Sequence, residues 1–248
     1  MRIGVLCGST LDTFQQAVLK SILEDTQLEM VCAMIDERRK ESLKKRFLKN
    51  LRRGRGGYML IMAFRRYIKP KTPFVSSKVF LESIGIACYA TTTPYTPESV
   101  DMLKSQHLDV MILLGGYGIV KEPLLSLVPR GILSYHHGDM RKYRGQPVGF
   151  WELYNGESKM GVTVQRLSAG LDKGQPIVER DVVIHPDDTV DSLRGRAMDL
   201  SVDMMREALR RVASPDFVPK IITKWGKVYT LPNLRQYLQL KIRLLRRR

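Results

Sequence analysis

Two of the four histidines in this chain of 248 residues stand side by side, His136 and His137, at the end of the apolar run Gly131-Ile132-Leu133-Ser134-Tyr135. A carboxylate, Asp172, follows 36 residues after the first of them, inside the turn Gly170-Leu171-Asp172-Lys173-Gly174. An imidazole titrates near neutrality, and a carboxylate can orient it or take a proton, so such a pair suits general acid–base chemistry. Taken singly, each has a plain structural explanation: a strand-end histidine that satisfies a hydrogen bond, and an aspartate that favours a turn. Between and around them lie Tyr143-Arg144-Gly145, Asn155-Gly156 and Gly161-Val162-Thr163-Val164-Gln165.

Side chains of this kind need a frame. Residues 2–7, 28–35, 84–89, 109–114, 131–135 and 176–184 read as short apolar strands. Helical patterns separate them, for example Phe14, Ala17, Val18, Ile22 and Leu23. Continuous apolar strands alternating with helices imply an α/β domain, a mostly parallel sheet flanked by helices. Ligands of such sheets bind beyond the carboxyl ends of the strands, where Tyr117 and His136 both fall. Residues 189–212 read as one long helix with Asp188 as its cap. Gly8-Ser9-Thr10 could hold an acceptor phosphate at a helix start, but it lacks a full phosphate-loop or dinucleotide pattern.

Cys7, Cys32 and Cys88 lie apart within apolar runs, and an odd number argues against a disulfide framework. They read as small buried hydrophobes in a reducing, cytoplasmic setting. No run reaches the ~18 apolar residues of a membrane span. The net charge of +16 is concentrated: 14 Lys and Arg stand against the single Glu41 between Arg38 and Lys71, and the chain ends Arg246-Arg247-Arg248. Segment 36–73 is helical around Leu43, Phe47, Leu48 and Leu51 and is broken by Gly54-Arg55-Gly56-Gly57. It reads as an inserted helical hairpin or lid, or as a solvated helix face with a few core anchors. In the tail, Leu234, Leu238, Ile242 and Leu245 recur at helical spacing among basic residues. That helix either docks on its own domain or lies on an anionic membrane. The expected division is a catalytic domain over 1–212, containing the basic insert, and a basic amphipathic extension over 213–248.

Gly131, Ser134, His136, Tyr143-Arg144-Gly145, Asn155-Gly156, Gly161-Val162-Thr163, and Asp172 with Gly174 together resemble the catalytic core of the folate-dependent formyltransferases. That family includes the methionyl-tRNA, glycinamide ribonucleotide and sugar N-formyltransferases. Its pattern is Gly-x-x-Asn-x-His, a Ser-Leu-Leu-Pro-like segment, Tyr-Arg-Gly, Asn-Gly, Gly-Val-Thr, and an Asp with Gly two residues later. Here that segment is replaced by Gly138-Asp139-Met140-Arg141 and the proline after Arg-Gly is displaced to Pro147, so the acceptor side of the site is expected to be remodelled. The resemblance covers about residues 80–185 well and the first strand loosely, and leaves out the insert and the tail. It implies a Rossmann-like formyltransferase fold and 10-formyltetrahydrofolate as co-substrate. It implies that His136 stabilises an oxyanion and helps protonate the leaving nitrogen, while Asp172 orients the imidazole and assists proton removal from the amine. It also implies a pterin pocket between Tyr117-Gly118-Ile119-Val120-Lys121 and Gly170-Leu171, built largely from backbone groups. No metal is implied.

Ser134 stands where the family has asparagine, and a hydroxyl reaches less far than an amide. Ser134 serves with adjusted geometry, or His137 supplies the missing donor, or the chemistry has changed. The acceptor expected is an amine on an anionic or phosphorylated small molecule, such as a nucleotide-linked amino sugar. Two alternatives stay open. One is hydrolysis of the formyl-folate. The other is a degraded enzyme that binds nucleic acid or an anionic membrane through its basic segments. A homodimer is compatible with either.

Overall fold

The apolar runs do become strands. In a computed structural model, residues 1–39, 41–68, 73–170 and 172–247 are described. In chain order come β1 (Arg2–Gly8), β2 (Thr10–Leu11), α1 (Thr13–Leu23), β3 (Glu29–Asp36), α2 (Leu43–Arg52), α3 (Gly56–Ile68), β4 (Val75–Ser76), α4 (Ser77–Ser83), β5 (Ala87–Thr91) and α5 (Pro97–Ser105). Then follow β6 (Val110–Leu113), β7 (Ile132–His136), β8 (Tyr143–Gly145), α6 (Phe150–Asn155), β9 (Lys159–Arg166), β10 (Gln175–Val183), α7 (Val190–Ser201), α8 (Met204–Ala213), β11 (Lys227–Tyr229) and α9 (Leu234–Leu245).

Seven strands form one sheet in the order β10-β9-β7-β6-β1-β3-β5. The five from β7 to β5 are parallel, and β9 and β10 add antiparallel at one edge. Ile3, Val5, Leu6 and Cys7 on the central strand are buried because helices cover both faces. One face packs Val18, Leu19 and Ile22 of α1 against Met205, Ala208 and Leu209 of α8, while the other gathers Leu6, Met34, Leu103, Met111 and Tyr117. Each fully buried side chain of this size contributes roughly 1.5–3 kcal/mol. The edge of the sheet at the carboxyl ends of β6 and β7 is thereby held rigid, and Ser134 and His136 stand on it.

Residues 189–212 form two helices, not the single long helix that the periodicity predicts. The break falls at Val202–Asp203. There the Tyr135 hydroxyl donates to the Ser201 carbonyl (2.8 Å) and accepts from the Met205 amide (3.1 Å). Arg180 grips Asp203 (2.6 Å) and Glu207 (2.7 Å) just beyond it. The cap of α7 is Thr189, paired reciprocally with Ser192, and Asp188 instead receives the His185 amide, the Ser192 hydroxyl and Arg196. Likewise the start of α1 offers no free anion site, because Asp12 accepts from the Gln15 amide in a capping box.

The basic insert is a helical hairpin, α2 and α3, anchored by Tyr58, whose ring lies 6.4 Å from Phe150 and 5.7 Å from Tyr237. The tail also packs on the body. β11 pairs with β8, Trp151 donates to the Thr230 carbonyl (3.0 Å), and the Tyr154 hydroxyl donates to Gln239 (2.7 Å). α9 docks through Tyr237, Leu240 and Leu244 and leaves exposed the stripe Leu234, Leu238, Ile242 and Leu245.

Candidate active site

Successive residues of a strand face opposite sides, so Ser134 and His136 share one face of β7 while Tyr135 and His137 share the other. His136 is buried at the strand's end. Its Nε2 donates to the Tyr143 carbonyl (2.8 Å), and its Nδ1 lies 3.5 Å from Oδ1 of Asp172. Gly138 lets the ring sit there, because a Cβ at that position would stand 2.8 Å from Nε2 and 3.0 Å from the Tyr143 carbonyl.

The short motifs surrounding the pair are its supports. The Tyr143 carbonyl holds His136, while the Gly145 amide donates to Oδ2 of Asp172 (2.8 Å). Gly145 has φ +91° and its α-carbon packs against the Tyr229 backbone, so both conformation and space require glycine there. Asn155 donates to the Tyr143 hydroxyl (2.9 Å), which itself donates to Glu157 (2.9 Å). Gln165 accepts the Gly174 amide (3.0 Å) and Ser168 donates to the Lys173 carbonyl (2.6 Å), which sets the turn carrying Asp172. Asp172 itself adopts φ +46°, a left-handed conformation that aspartate tolerates.

Burial works against charge on His136, but Asp172 and the Tyr143 carbonyl outweigh it and raise the imidazole above its ordinary pKa. Asp172 is the converse case. Burial would raise it, yet His136, the Gly145 amide and Arg144 hold it below the usual carboxylate range. With Nε2 donating to a carbonyl, a neutral ring would turn an Nδ1 lone pair toward the carboxylate. Protonation removes that clash, so the carboxylate favours the charged form of the imidazole.

His137 behaves differently. Burial, with His136 and Arg194 nearby, pushes it down to about 4, so it is neutral. It stacks on Tyr135 and meets the edge of Phe14. The Ser201 hydroxyl donates to the Met198 carbonyl (3.0 Å), so the 3.3 Å contact with His137 is a donation from Nε2 of the ring. That leaves His137 with an acceptor at Nδ1, which weighs against the reading in which it supplies the missing donor.

Two depressions meet at Tyr135 and His137. One, about 450 Å³, is lined by His136, Asp172, Gly145, Gln146, Tyr229 and Arg55, the last reaching in from between α2 and α3. The other, about 250 Å³, is lined by Ser134, His137, Leu113, Gly116, Tyr117 and Gly118. Together they fall within the ~300–1,000 Å³ usual for small-molecule sites. The second is a slot lined in part by the backbone at Gly115–Gly118 and in part by the side chains of Phe14, Gln15 and Met198. The buried Tyr117 side chain belongs to the core, with its hydroxyl on the Met34 sulfur (3.7 Å) and its carbonyl accepting from Arg38 (2.9 Å). Ile119, Val120 and Lys121 lie outside the lining: Ile119 is exposed, Val120 is in the core, and the Lys121 carbonyl accepts the Leu125 amide. Gly170 is exposed with φ +107°, and Leu171 lies outside the described residues.

Sequence reasoning missed Arg55, Tyr229 and Glu152 as parts of this region. Glu152 is buried on α6 and pushed up to about 7 by burial, against the pull of His136. Its signal was an acid inside the apolar run Phe150-Trp151-Glu152-Leu153. Tyr229 arrives on a three-residue strand for which the sequence has no signal. Among the described residues no group of three or more His, Cys, Asp or Glu is arranged to hold a metal.

A family model described as formyl transferase matches residues 58–209, reaching into the insert at one end and through α7 and most of α8 at the other. The methionyl-tRNA formyltransferase of Solibacter usitatus (strain Ellin6076) is 30% identical over 138 residues, 56% of this chain and 44% of that protein. That of Thermotoga neapolitana (strain ATCC 49049 / DSM 4359 / NBRC 107923 / NS-E) is 35% identical over 135 residues, 54% and 43%. The chain thus spans less than half of the length of these relatives. Among solved structures, glycinamide ribonucleotide transformylase 1 from Symbiobacterium toebii superposes with a TM-score of 0.60 at 20% identity, covering 90% of this chain and 94% of that one. The N-formyltransferase from Helicobacter canadensis, in complex with folinic acid and dTDP-3-aminofucose, gives a TM-score of 0.62 at 15% identity, covering 98% and 80%.

Proposed function

Since the chain belongs to the formyl transferase family, we propose that it transfers a formyl group from 10-formyltetrahydrofolate to the amine of an anionic small molecule, such as a nucleotide-linked amino sugar. The observation that carries this reading is the His136–Asp172 pair, charged and braced by the Tyr143 carbonyl and the Gly145 amide at the mouth of a cavity. The bound folate would supply an activated carbonyl and its leaving nitrogen, and the slot at Gly115–Gly118, beside Ser134, would take its ring.

Within the site, His136, its charged form favoured by Asp172, would offer positive charge to a developing oxyanion. Its Nδ1 proton faces Asp172 across 3.5 Å, a long contact from which it would be drawn toward the leaving nitrogen. Asp172 keeps the imidazole charged and is the base nearest to an ammonium losing its proton. Ser134, on the same face of β7 as His136, offers a hydroxyl donor in place of the usual amide. Arg55 offers positive charge to the anionic part of an acceptor. The Helicobacter canadensis protein, whose complex contains dTDP-3-aminofucose and which aligns over 98% of this chain, supports an amino-sugar nucleotide as acceptor. The free thiols of Cys7, Cys32 and Cys88 support a reducing, cytoplasmic setting.

The test is incubation with 10-formyltetrahydrofolate and a panel of amines, following folate absorbance and the mass of each acceptor. Formylation of a nucleotide-linked amino sugar is the expected result. Formate release at the same rate without any amine would indicate hydrolysis instead. Absence of both turnover and folate binding would defeat the reading.

A further inference from the structure

The charge of this chain is segregated. Segments 42–81 and 217–248 together hold 21 of its 41 Lys and Arg residues and not one Asp or Glu. The remainder has 20 basic residues against 25 acids, so the body bearing His136 and Asp172 is negative on balance. The two basic segments meet in space, where α3 packs on α9, Gly57 lies against Leu234 and Tyr58 lies against Tyr237.

Both helices also turn an apolar stripe to the outside. At 100° per residue, Leu60, Phe64 and Tyr67 share the side of α3 opposite Tyr58, and Phe64 and Tyr67 are 65% and 90% exposed. On α9 the exposed stripe of Leu238, Ile242 and Leu245 is separate from the face of Tyr237, Leu240 and Leu244 that docks. Exposed aliphatic and aromatic side chains grouped on packed helices mark a contact surface. Basic side chains border them, Lys44, Lys45 and Lys49 on α2 and Arg235, Lys241 and Arg243 on α9, all exposed.

We propose that the outer faces of α2, α3 and α9 form a docking surface for an anionic lipid bilayer. The aliphatic and aromatic stripes enter the headgroup boundary and the lysines and arginines meet the lipid phosphates. A second copy of the chain fits worse, because a symmetric contact would press this uncompensated positive surface against itself. A nucleic acid would satisfy the charge but give Leu60, Leu238, Ile242 and Leu245 nothing to bury against. Arg55 joins α2 to α3 and lines the cavity of His136 and Asp172, so docking brings the mouth of that cavity to the headgroups.

Co-sedimentation of the full chain with vesicles tests this, comparing phosphatidylcholine alone with three parts phosphatidylcholine to one part phosphatidylglycerol. Binding to the anionic vesicles at least roughly tenfold tighter than to the neutral ones, and weakened by salt, is expected. Phe64→Ser with Ile242→Ser, both exposed, should weaken it by roughly tenfold with the circular dichroism spectrum unchanged. Lys44→Glu with Lys45→Glu should do the same through charge. No binding to anionic vesicles would overturn the proposal. So would tighter binding to RNA that ignores Phe64 and Ile242, or a dimer in sedimentation velocity abolished by the same substitutions.

Discussion

Nδ1 of His136 lies 3.5 Å from Oδ1 of Asp172, and each group sustains the other's charge in a buried setting. Asp172→Asn keeps the shape and can keep the Gly145 hydrogen bond, but it removes the countercharge. Burial then governs the imidazole, and the pKa of His136 should fall below its ordinary value. Formyl transfer should drop by roughly 10²–10⁴-fold, with folate affinity retained. Single-turnover kinetics and an NMR titration of the imidazole read both effects. An unchanged rate would remove Asp172 from the chemistry.

The same charges set a dependence of stability on pH. His136 is raised in the fold, so its contribution is complete below the ordinary histidine pKa of ~6.5 and is lost as pH rises through the folded value. Asp172 is lowered, so its contribution is complete above ~3.9 and is lost as pH falls through the folded value. The pair therefore stabilises fully between those two ordinary values. Glu152 acts in the opposite sense to Asp172: buried and raised to about 7, it favours the fold while protonated. Stability should decline by up to about 3 kcal/mol from this group as pH rises from ~4.3 to about 7. Glu152→Gln should flatten that decline, as melting temperature against pH would show. A slope unaltered by the substitution would mean that Glu152 titrates normally.

Much of this architecture is legible in the sequence because it rests on local patterns. The apolar runs at β1, β3, β6 and β7 are too short and too continuous for amphipathic helices, and the sheet follows from them. The His136–Asp172 pair is legible because glycine, tyrosine and asparagine at particular positions are its physical supports: the Tyr143 carbonyl and the Gly145 amide each hold one member. What escapes is set by tertiary contact. Residues 189–212 carry a helical pattern, and the Tyr135 hydroxyl and Arg180, contributed by β7 and β10, bind at the point where it splits. The face on which α9 docks is likewise hidden, since Leu234, Leu238, Ile242 and Leu245 make the more regular stripe yet Tyr237, Leu240 and Leu244 meet the body.

Tyr135→Phe probes that split directly. Its hydroxyl joins the Ser201 carbonyl to the Met205 amide across the break between α7 and α8. Removing it leaves both groups short of a partner at a part-buried place, at a cost of about 1–3 kcal/mol. The denaturation midpoint should fall while the urea m-value is unchanged. A midpoint equal to that of the wild type would show that the break is imposed elsewhere.

Arg55 should matter to one substrate and not the other. It lines the cavity with His136 and Asp172 but is absent from the slot beside Gly118. Arg55→Ala should therefore raise KM for an anionic acceptor by roughly tenfold, as expected for a lost charge-assisted contact, and leave formyl-folate affinity alone. Steady-state kinetics with each substrate varied in turn separates the two. A loss confined to the folate would place Arg55 on the donor side.

Ser134 stands where the family pattern has asparagine. It pairs in register with Leu113 and Gln165, lines the slot with Tyr117 and Gly118, and shares its strand face with His136. His137 cannot easily replace a missing donor, because it is neutral and its Nε2 proton is spent on Ser201. The hydroxyl of Ser134, on the strand face of His136, is the donor that stands at the asparagine position. Ser134→Ala should lower kcat by about 10²-fold without changing the dissociation constant of the folate. Ser134→Asn should recover most of that loss, since an amide donates as well and reaches further. Rapid-quench measurement of the transfer step on all three proteins decides the matter. Equal rates for serine and alanine would mean that His136 alone meets the charge.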